Sequence, residues 1–517
     1  MLTIGLSLSI FLAALDSSIL STAIPAITTE FGSIASIAWY GSACSIATTA
    51  FPNCWGKAYA CFHKKLVFFS SVALLETGNV LCATARSSEM LIFGRVVTGL
   101  GIGGMMTGAF ILIAISVSDQ YRAAYMGVVG ATFGVASVLG PLIGGGLTDT
   151  LGWRWCFWSA SSLCYCGYLA DVFRVNLPIG GLAVTIMFFA YHSQHPPQEM
   201  TMLDRIISLD LGGGLLFTGF LACFILGMHY TGTHAWSHFS VIVSLISSVL
   251  FLCLFVFNEW IMGTKAMVQA HLLRKKTVLW KLIYIFFIAG LFFPLQYTLP
   301  VQFQSIDDKT ASQSGVRLIP LILGVSVFTM VANAIVTYWR HYKALLFGGA
   351  ILATAGALSI HSVDSRASNK AWVGFELLTG IGVGLVLQIP MIANQASVGA
   401  EDVAAVTTLT LFVENTGTAL FVATTEAAFT QGLVAHLKRN MSNIDPHAAL
   451  NAGATQLRHV FVGADLDQVL RGYLYGCRIS HVICVACGVV ACVISLGSAG
   501  PATVQEVKLR LKKSHIR

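Results

Sequence analysis

Six charged side chains interrupt stretches that are otherwise apolar: Asp16, Glu76, Arg95, Glu376, Glu414 and Glu426. A charge in such surroundings is costly and is a functional candidate by default. The chemistry open to it is narrow. A carboxylate in a low-dielectric cavity has its charged form disfavoured, so its protonation becomes coupled to whether the cavity is open to water. The bland reading is that these residues pair with one another or sit at helix ends. Later in the chain Gln296, Gln302, Gln388, Asn394 and Gln395 place amides among Phe, Met and Trp. Such a wall suits large amphipathic organic molecules better than a small ion or a sugar. For any single amide, a hydrogen bond between helices is an equal alternative. Other chemistries find little support. His192, His195, His234 and His238 fall in loops on opposite sides, and no carboxylate or cysteine completes either pair, so no metal site is expected. Gly99, Gly101 and Gly103 resemble a dinucleotide loop, but no strand precedes them. Cys484 and Cys487 have redox-motif spacing inside an apolar run, and they read as packing residues, as do most of the thirteen cysteines. No cofactor is expected.

The elements that must position these side chains follow from composition. Of 517 residues, 10% are charged and 56% hydrophobic, with a mean hydropathy of +0.76. A soluble chain carries about 25% charge, which excludes a soluble enzyme, a disordered chain and a collagen-like fibre. The net charge of +7 comes from basic residues in short gaps between apolar runs, not from a basic run suited to nucleic acid. A bilayer core of about 30 Å takes about 20 apolar residues per helix, because only a helix satisfies every backbone amide internally. Fourteen spans are predicted, near 2–26, 36–54, 66–85, 90–116, 123–147, 176–191, 206–229, 239–260, 278–300, 316–338, 343–361, 371–396, 403–432 and 479–497. The first runs on into further spans without a basic leader, so a cleaved secretory signal is not expected.

With the N-terminus inside, the cytoplasmic loops and tail hold seventeen Lys and Arg residues against seven in the short outer loops. Both termini are therefore expected in the cytoplasm. The sequon Asn440-Met441-Ser442 then falls in a long outer loop, 433–478, where it can be glycosylated. An internal repeat is visible as well. Arg95 to Gly103 (RVVTGLGIG) is echoed by Glu376 to Gly384 (ELLTGIGVG), a charge followed by glycines at every second position. The predicted architecture is all-α and polytopic, six plus two plus six: a six-helix half over 1–191, two extra helices with their loops over 192–277, a second half over 278–497 and a cytoplasmic tail over 498–517.

These residues resemble the major facilitator superfamily, in its fourteen-span drug:proton antiporter branch, and especially fungal carriers that export toxins and secondary metabolites. The resemblance covers nearly the whole chain. It is carried by LDSSILSTAIPAI (15–27), GRVVTGLGIGG (94–104), GVASVLGPLIGGGLTD (134–149), WRWCFW (153–158), NLPIGG (176–181), LPVQFQ (299–304) and SGVRLIP (314–320). It implies a major facilitator fold and roles for particular residues. Arg95 matches the family's arginine in proton coupling and Asp16 its first-span aspartate, with Glu414 a further proton-coupling candidate. Gly134, Gly140, Pro141, Gly144 and Gly145 belong to its antiporter signature. Small residues around a proline let a neighbouring helix approach and pivot, although plain packing uses the same pattern. Gly56, Lys57, Lys64 and Lys65 keep the glycine and basic end of the loop motif, which here lacks the usual aspartate. Gln296, Gln388, Asn394 and Gln395 are the candidates for the substrate cavity.

Two more departures stand out. The first span begins almost at Met1, where relatives carry a hydrophilic tail. Residues 159–174 separate motifs that the family joins directly, and this segment reads as a retained in-frame intron or, if translated, as a longer outer loop. The implied activity is proton-coupled efflux of a hydrophobic organic compound by alternating access. Partners are that substrate, protons and the bilayer; nucleic acid is not expected, and a monomer suffices. The plasma membrane is the expected location, with the vacuolar membrane as the alternative. Uptake of a siderophore or vacuolar amino acid is the runner-up. A membrane-embedded enzyme is remote, since no histidine box or paired aspartates lie at one membrane face.

Overall fold

The computed structural model describes residues 2–31, 37–118, 120–158, 185–186, 189, 201–339, 342–363, 369–440, 446, 449–450, 457–458 and 460–497. The residues placed in the expected insertion and tail, 159–174 and 498–517, lie outside this set, as does nearly all of the sixth predicted span.

Apolar runs become long helices because no backbone group in them can be left unpaired in lipid. In the N-terminal part these are α1 (Leu2–Phe31), α2 (Ile37–Ala50), α3 (Pro52–Cys61), α4 (Lys64–Ala83), α5 (Ser88–Ser116), α6 (Arg122–Thr150) and the short α7 (Arg154–Trp158). After the undescribed stretch come α8 (Met202–Ser208), α9 (Leu211–Thr233), α10 (Phe239–Met262) and α11 (Ala270–Arg274). The remainder forms α12 (Lys276–Ser305), α13 (Ala311–Arg317), α14 (Ile319–Trp339), α15 (Lys343–Ser362), α16 (Asn369–Val386), α17 (Ile389–Gln395), α18 (Val403–Asn440) and α19 (Ala464–Gly497).

Among the described residues, twelve helices are long and apolar enough to cross a membrane. The predicted span 36–54 is not a single helix. Pro52, which lacks an N–H and fixes its own φ, starts α3 afresh, and Phe51 leaves helical geometry before it. The expected outer loop 433–478 is also shorter than its hydropathy suggests. Here α18 continues to Asn440 and α19 begins at Ala464. Asp465, Asp467 and Arg471 break the apolar run, but Val469 and Tyr473 keep a four-residue spacing and bury against Leu433, Leu437 and Phe461.

Packing follows the repeat. Helix α5 lies against α4 and α2, and α16 lies against α15 and α14. The two glycine strings make matching contacts: Gly101 meets the backbone of Leu75 on α4, and Gly382 meets that of Ala353 on α15. Between the two groups, α6 packs along α14, and α18 touches α2, α3 and α5. Helix α9 bridges α18 and α2, while α10 packs mainly on α9 and turns Ile246, Val249, Leu250, Phe257 and Trp260 outward. Side chains of that kind are at home in lipid.

Candidate functional site

Two of the predicted charges meet. Arg95 Nη1 donates to Asp16 Oδ2 at 2.8 Å, with both side chains almost wholly buried, at 2% and 1% exposure. Arg95 Nε donates to the carbonyl of Tyr40 at 3.3 Å, and the ring of Phe157 lies 5.9 Å from the guanidinium carbon. The hydroxyl of Tyr40 in turn shares a 2.9 Å hydrogen bond with Ser88. One ion pair therefore ties together α1, α2, α5 and α7. A buried pair of this type persists because each charge compensates the other, and removing either leaves an uncompensated charge.

Beside the pair, between the two groups of helices, lies a cavity of about 230 Å3. Ser17, adjacent to Asp16, is on its wall. Gln296, Gln388 and Glu414 lie on its wall, and Glu414 is the only ionisable side chain among its lining residues. Gln388 sits where the helix breaks between α16 and α17, and its Oε1 accepts from Asn333 Nδ2 at 2.9 Å. The rest of the wall is dominated by apolar and aromatic side chains, including Met106, Phe110, Phe133, Phe292 and Phe293.

Two expected cavity residues are elsewhere. Asn394 Nδ2 donates to Thr410 Oγ1 at 3.1 Å, and Gln395 Nε2 donates to Thr407 Oγ1 at 2.8 Å. Both amides are buried and pin α17 to α18, so they serve the interhelical role that a single amide in an apolar span can equally well take. Conversely, the sequence reading missed Asn415 and Thr418 on α18. The signal was present: Thr418 stands four residues after Glu414 and so shares its face.

The glycine-rich residues lie on α6. Gly134 lines the cavity and faces Ser326 of α14, while Gly140 faces Ser18 of α1. Gly144 and Gly145 follow on the same helix, with Gly144 buried; Pro141 lies within the helix, and its side chain is outside the described set. The loop-motif residues gather at the end of the bundle where the basic loops lie. Gly56 on α3 abuts Thr408 of α18, and Lys57 Nζ donates to the carbonyl of Lys265. Lys64 and Lys65 open α4. Gly130 of α6, on the cavity wall, lies close against Gln388. Asn440 is the last residue of α18, and the other two residues of its sequon are not described. Among the described residues no group of three or more His, Cys, Asp or Glu is placed to hold a metal ion. The described cysteines, Cys484 and Cys487 included, are free thiols, most of them buried.

Residues 6–180 match the model of the Major Facilitator Superfamily. The chain is 35% identical over 474 residues to the MFS-type efflux pump MFS1 of Arthroderma benhamiae, covering 91% of this chain and 85% of that protein. The chain belongs to the major facilitator superfamily. Among other superfamily proteins, it is 34% identical over 479 residues to the Aspyridones efflux protein of Neocamarosporium betae, covering 91% of this chain and 82% of the relative. Its fold matches that of the proton:xylose symporter XylE with a TM-score of 0.59 over 98% of each chain, at 13% identity. As a member of this superfamily it is a multi-pass membrane transporter that carries small organic molecules, not an enzyme.

Proposed function

We propose that this transporter exports a hydrophobic organic compound, a fungal secondary metabolite, in exchange for protons. The observation that carries the reading is the cavity: one carboxylate, Glu414, set in a wall of apolar and aromatic side chains with Gln296, Gln388 and Asn415 as orienting hydrogen-bond groups. Such a lining binds an amphipathic organic molecule through apolar contact and orients it through a few polar groups. A single carboxylate that both a proton and the substrate-bearing state compete for is sufficient for exchange. Proton entry supplies about 2.3 kcal/mol per elementary charge per 100 mV. The relatives named as efflux proteins support the outward direction.

The cavity is small beside the roughly 300–1,000 Å3 of typical ligand pockets, so a bulky substrate needs the halves to part, the motion that alternating access provides. Gly56 lies close against Thr408, and Gly130 close against Gln388 on the cavity wall, so helices of the two groups meet without side-chain bulk between them. With the basic loops in the cytoplasm, as the distribution of lysines and arginines favours, the fungal plasma membrane is the fitting location for export. Asp16 and Arg95 stand beside the cavity as the pair whose integrity links α1 and α5 to proton binding.

The test is retention of a panel of hydrophobic compounds in intact cells with and without the gene. Retention that rises on deletion, and rises equally in the wild type when a protonophore collapses the gradient, is the expected result. Glu414→Gln should reproduce the deletion while leaving the protein in the membrane. Falling uptake on deletion would turn the assignment to an importer, and protonophore-insensitive export would remove the protons.

A further inference from the structure

The two halves differ in chemistry at one pair of matching positions. In the first half Gly99 and Gly103 of α5 face the carbonyls of Cys44 and Thr48 on α2, and one turn earlier Arg95 donates to the carbonyl of Tyr40. In the second half Gly380 and Gly384 of α16 face the carbonyls of Leu321 and Val325 on α14. Four residues before Gly380 stands Glu376, and four before Leu321 stands Arg317. The register that joins Arg95 to Tyr40 therefore sets a carboxyl group and a guanidinium at one level of the second half. The two interact electrostatically.

They do not form a salt bridge in this conformation. Glu376 is 1% exposed, and neither of its carboxyl oxygens has a hydrogen-bond partner among the described residues. Arg317 is engaged elsewhere: its Nη1 donates to Asp307 Oδ2, in the loop between α12 and α13. The ring of Phe303 lies 5.2 Å from the guanidinium carbon of Arg317 and 5.1 Å from the ring of Trp372, one turn before Glu376. Phe303 and Trp372 belong to the apolar core of this half, together with Leu299 and Leu318. An isolated carboxylate in such surroundings is far costlier than a neutral carboxyl group.

We propose that Glu376 is a second proton-binding residue of the transporter, which carries its proton in this conformation and, on losing it, takes Arg317 from Asp307. The proton leaves to water and Glu376 becomes a carboxylate. Arg317 remains a cation throughout, and Asp307, already 21% exposed, is left to solvent. Protonation of one side chain thus decides whether the end of α13 is fastened to the loop after α12 or to α16. Glu376 is not among the residues lining the central cavity, so this is a site apart from Glu414. Its use in transport rests on the proton-coupled reading of that cavity.

No other described charge competes for the site. Helix α15 presents Ala357 and Ile360 to the same core, and its titratable group at this end, His361, interacts with His481 of α19. Helices α14 and α17 bring no acidic or basic side chain to it. In the loop after α12, Asp308 pairs with Arg458 at 3.1 Å, and Lys309 stands beside it. On α16 itself Lys370 lies six residues before Glu376, in the first turn.

The experiment is an infrared pH titration of the purified full-length transporter, with the proton itself as probe. The expected result is a protonated-carboxyl band that is lost in Glu376→Gln. Its midpoint should rise by about one pH unit, a tenfold change in proton affinity, in Arg317→Gln, which removes the partner of the carboxylate. It should fall by a similar amount in Asp307→Asn, which releases Arg317 to Glu376. Shifts of opposite sign are a readout that a packing role for these residues would not give. Asp307→Asn leaves Glu376 in place, so the test stands if the glutamine variant does not fold. A spectrum unchanged by Glu376→Gln, or a midpoint that does not fall in Asp307→Asn, overturns the proposal. Failure of the transport reading is separate: protonophore-insensitive export would remove it whatever the titration gave.

Discussion

Removing one partner of the Asp16–Arg95 pair and removing both should have opposite consequences for stability and the same consequence for transport. Asp16→Asn leaves a guanidinium at 2% exposure without its counter-charge, beside the Tyr40 carbonyl and the Phe157 ring. Stranding a buried charge in this way costs about 3–5 kcal/mol. Arg95→Met strands the aspartate and should cost a similar amount. The double variant Asp16→Leu with Arg95→Met replaces the pair by apolar groups of comparable volume, a change that ranges from neutral to about 1–4 kcal/mol stabilising in other proteins. If the pair serves only to hold α1 to α5, the double variant exports as the wild type does. If it serves proton coupling, the double variant is stable and inactive. The assay is thermal unfolding of the purified transporter in detergent beside export of a hydrophobic dye from cells, with surface abundance as the control. Single variants that unfold with the wild type would refute the geometry, and a double variant that exports normally would refute the coupling role.

Three further outcomes are expected. Gly134→Ala places a methyl against Ser326 Oγ and should reduce export several-fold by propping α6 off α14, while Ser326→Ala added to it restores part of the loss, because the obstacle is a side-chain tip and not backbone; export assays on the two variants check this. Glu30, beyond the apolar part of α1, accepts from Arg154 at 2.7 Å and from Trp153 at 2.7 Å, and these hydrogen bonds, that of Arg154 foremost, hold its carboxyl below the ordinary carboxylate range. Its folded-state pKa is depressed, so its contribution is present above the ordinary value and is lost as pH falls through the lowered one. Glu30→Gln should therefore flatten the acid limb of melting temperature against pH, by less than about 1 kcal/mol because both partners are over a third exposed. Asn440→Gln should abolish a glycosidase-sensitive shift in gel mobility, and a wild-type protein with no such shift would count against placing the end of α18 outside.

The site was legible in the sequence where a residue's type conflicts with its surroundings. Asp16, Arg95 and Glu414 stood out because charges do not otherwise belong in apolar spans, and the structure joins the first two and sets the third on the cavity wall. The amides were harder. Gln388 and Asn394 are six residues apart with the same chemistry, yet one faces the cavity and the other a threonine on α18. Six residues at 3.6 per turn put them on different faces of α17, and only the packing decides which face meets the cavity. Thr418 and Asn415 carry no charge, and only the four-residue spacing of Thr418 from Glu414 pointed to that face.

What the sequence determined by itself is the membrane class, the repeat and the set of costly residues, because burial of backbone and charge in lipid is penalised locally, residue by residue. What only the tertiary structure decided is which costly residues meet. Arg95 and Asp16 are 79 positions apart. Their partnership depends on which helices lie side by side and how each is rotated, and those are set by the fit of small residues such as Gly101, Gly382 and Ala427 against facing backbones and side chains. Hydropathy counts such residues as apolar and says nothing of the direction in which they face.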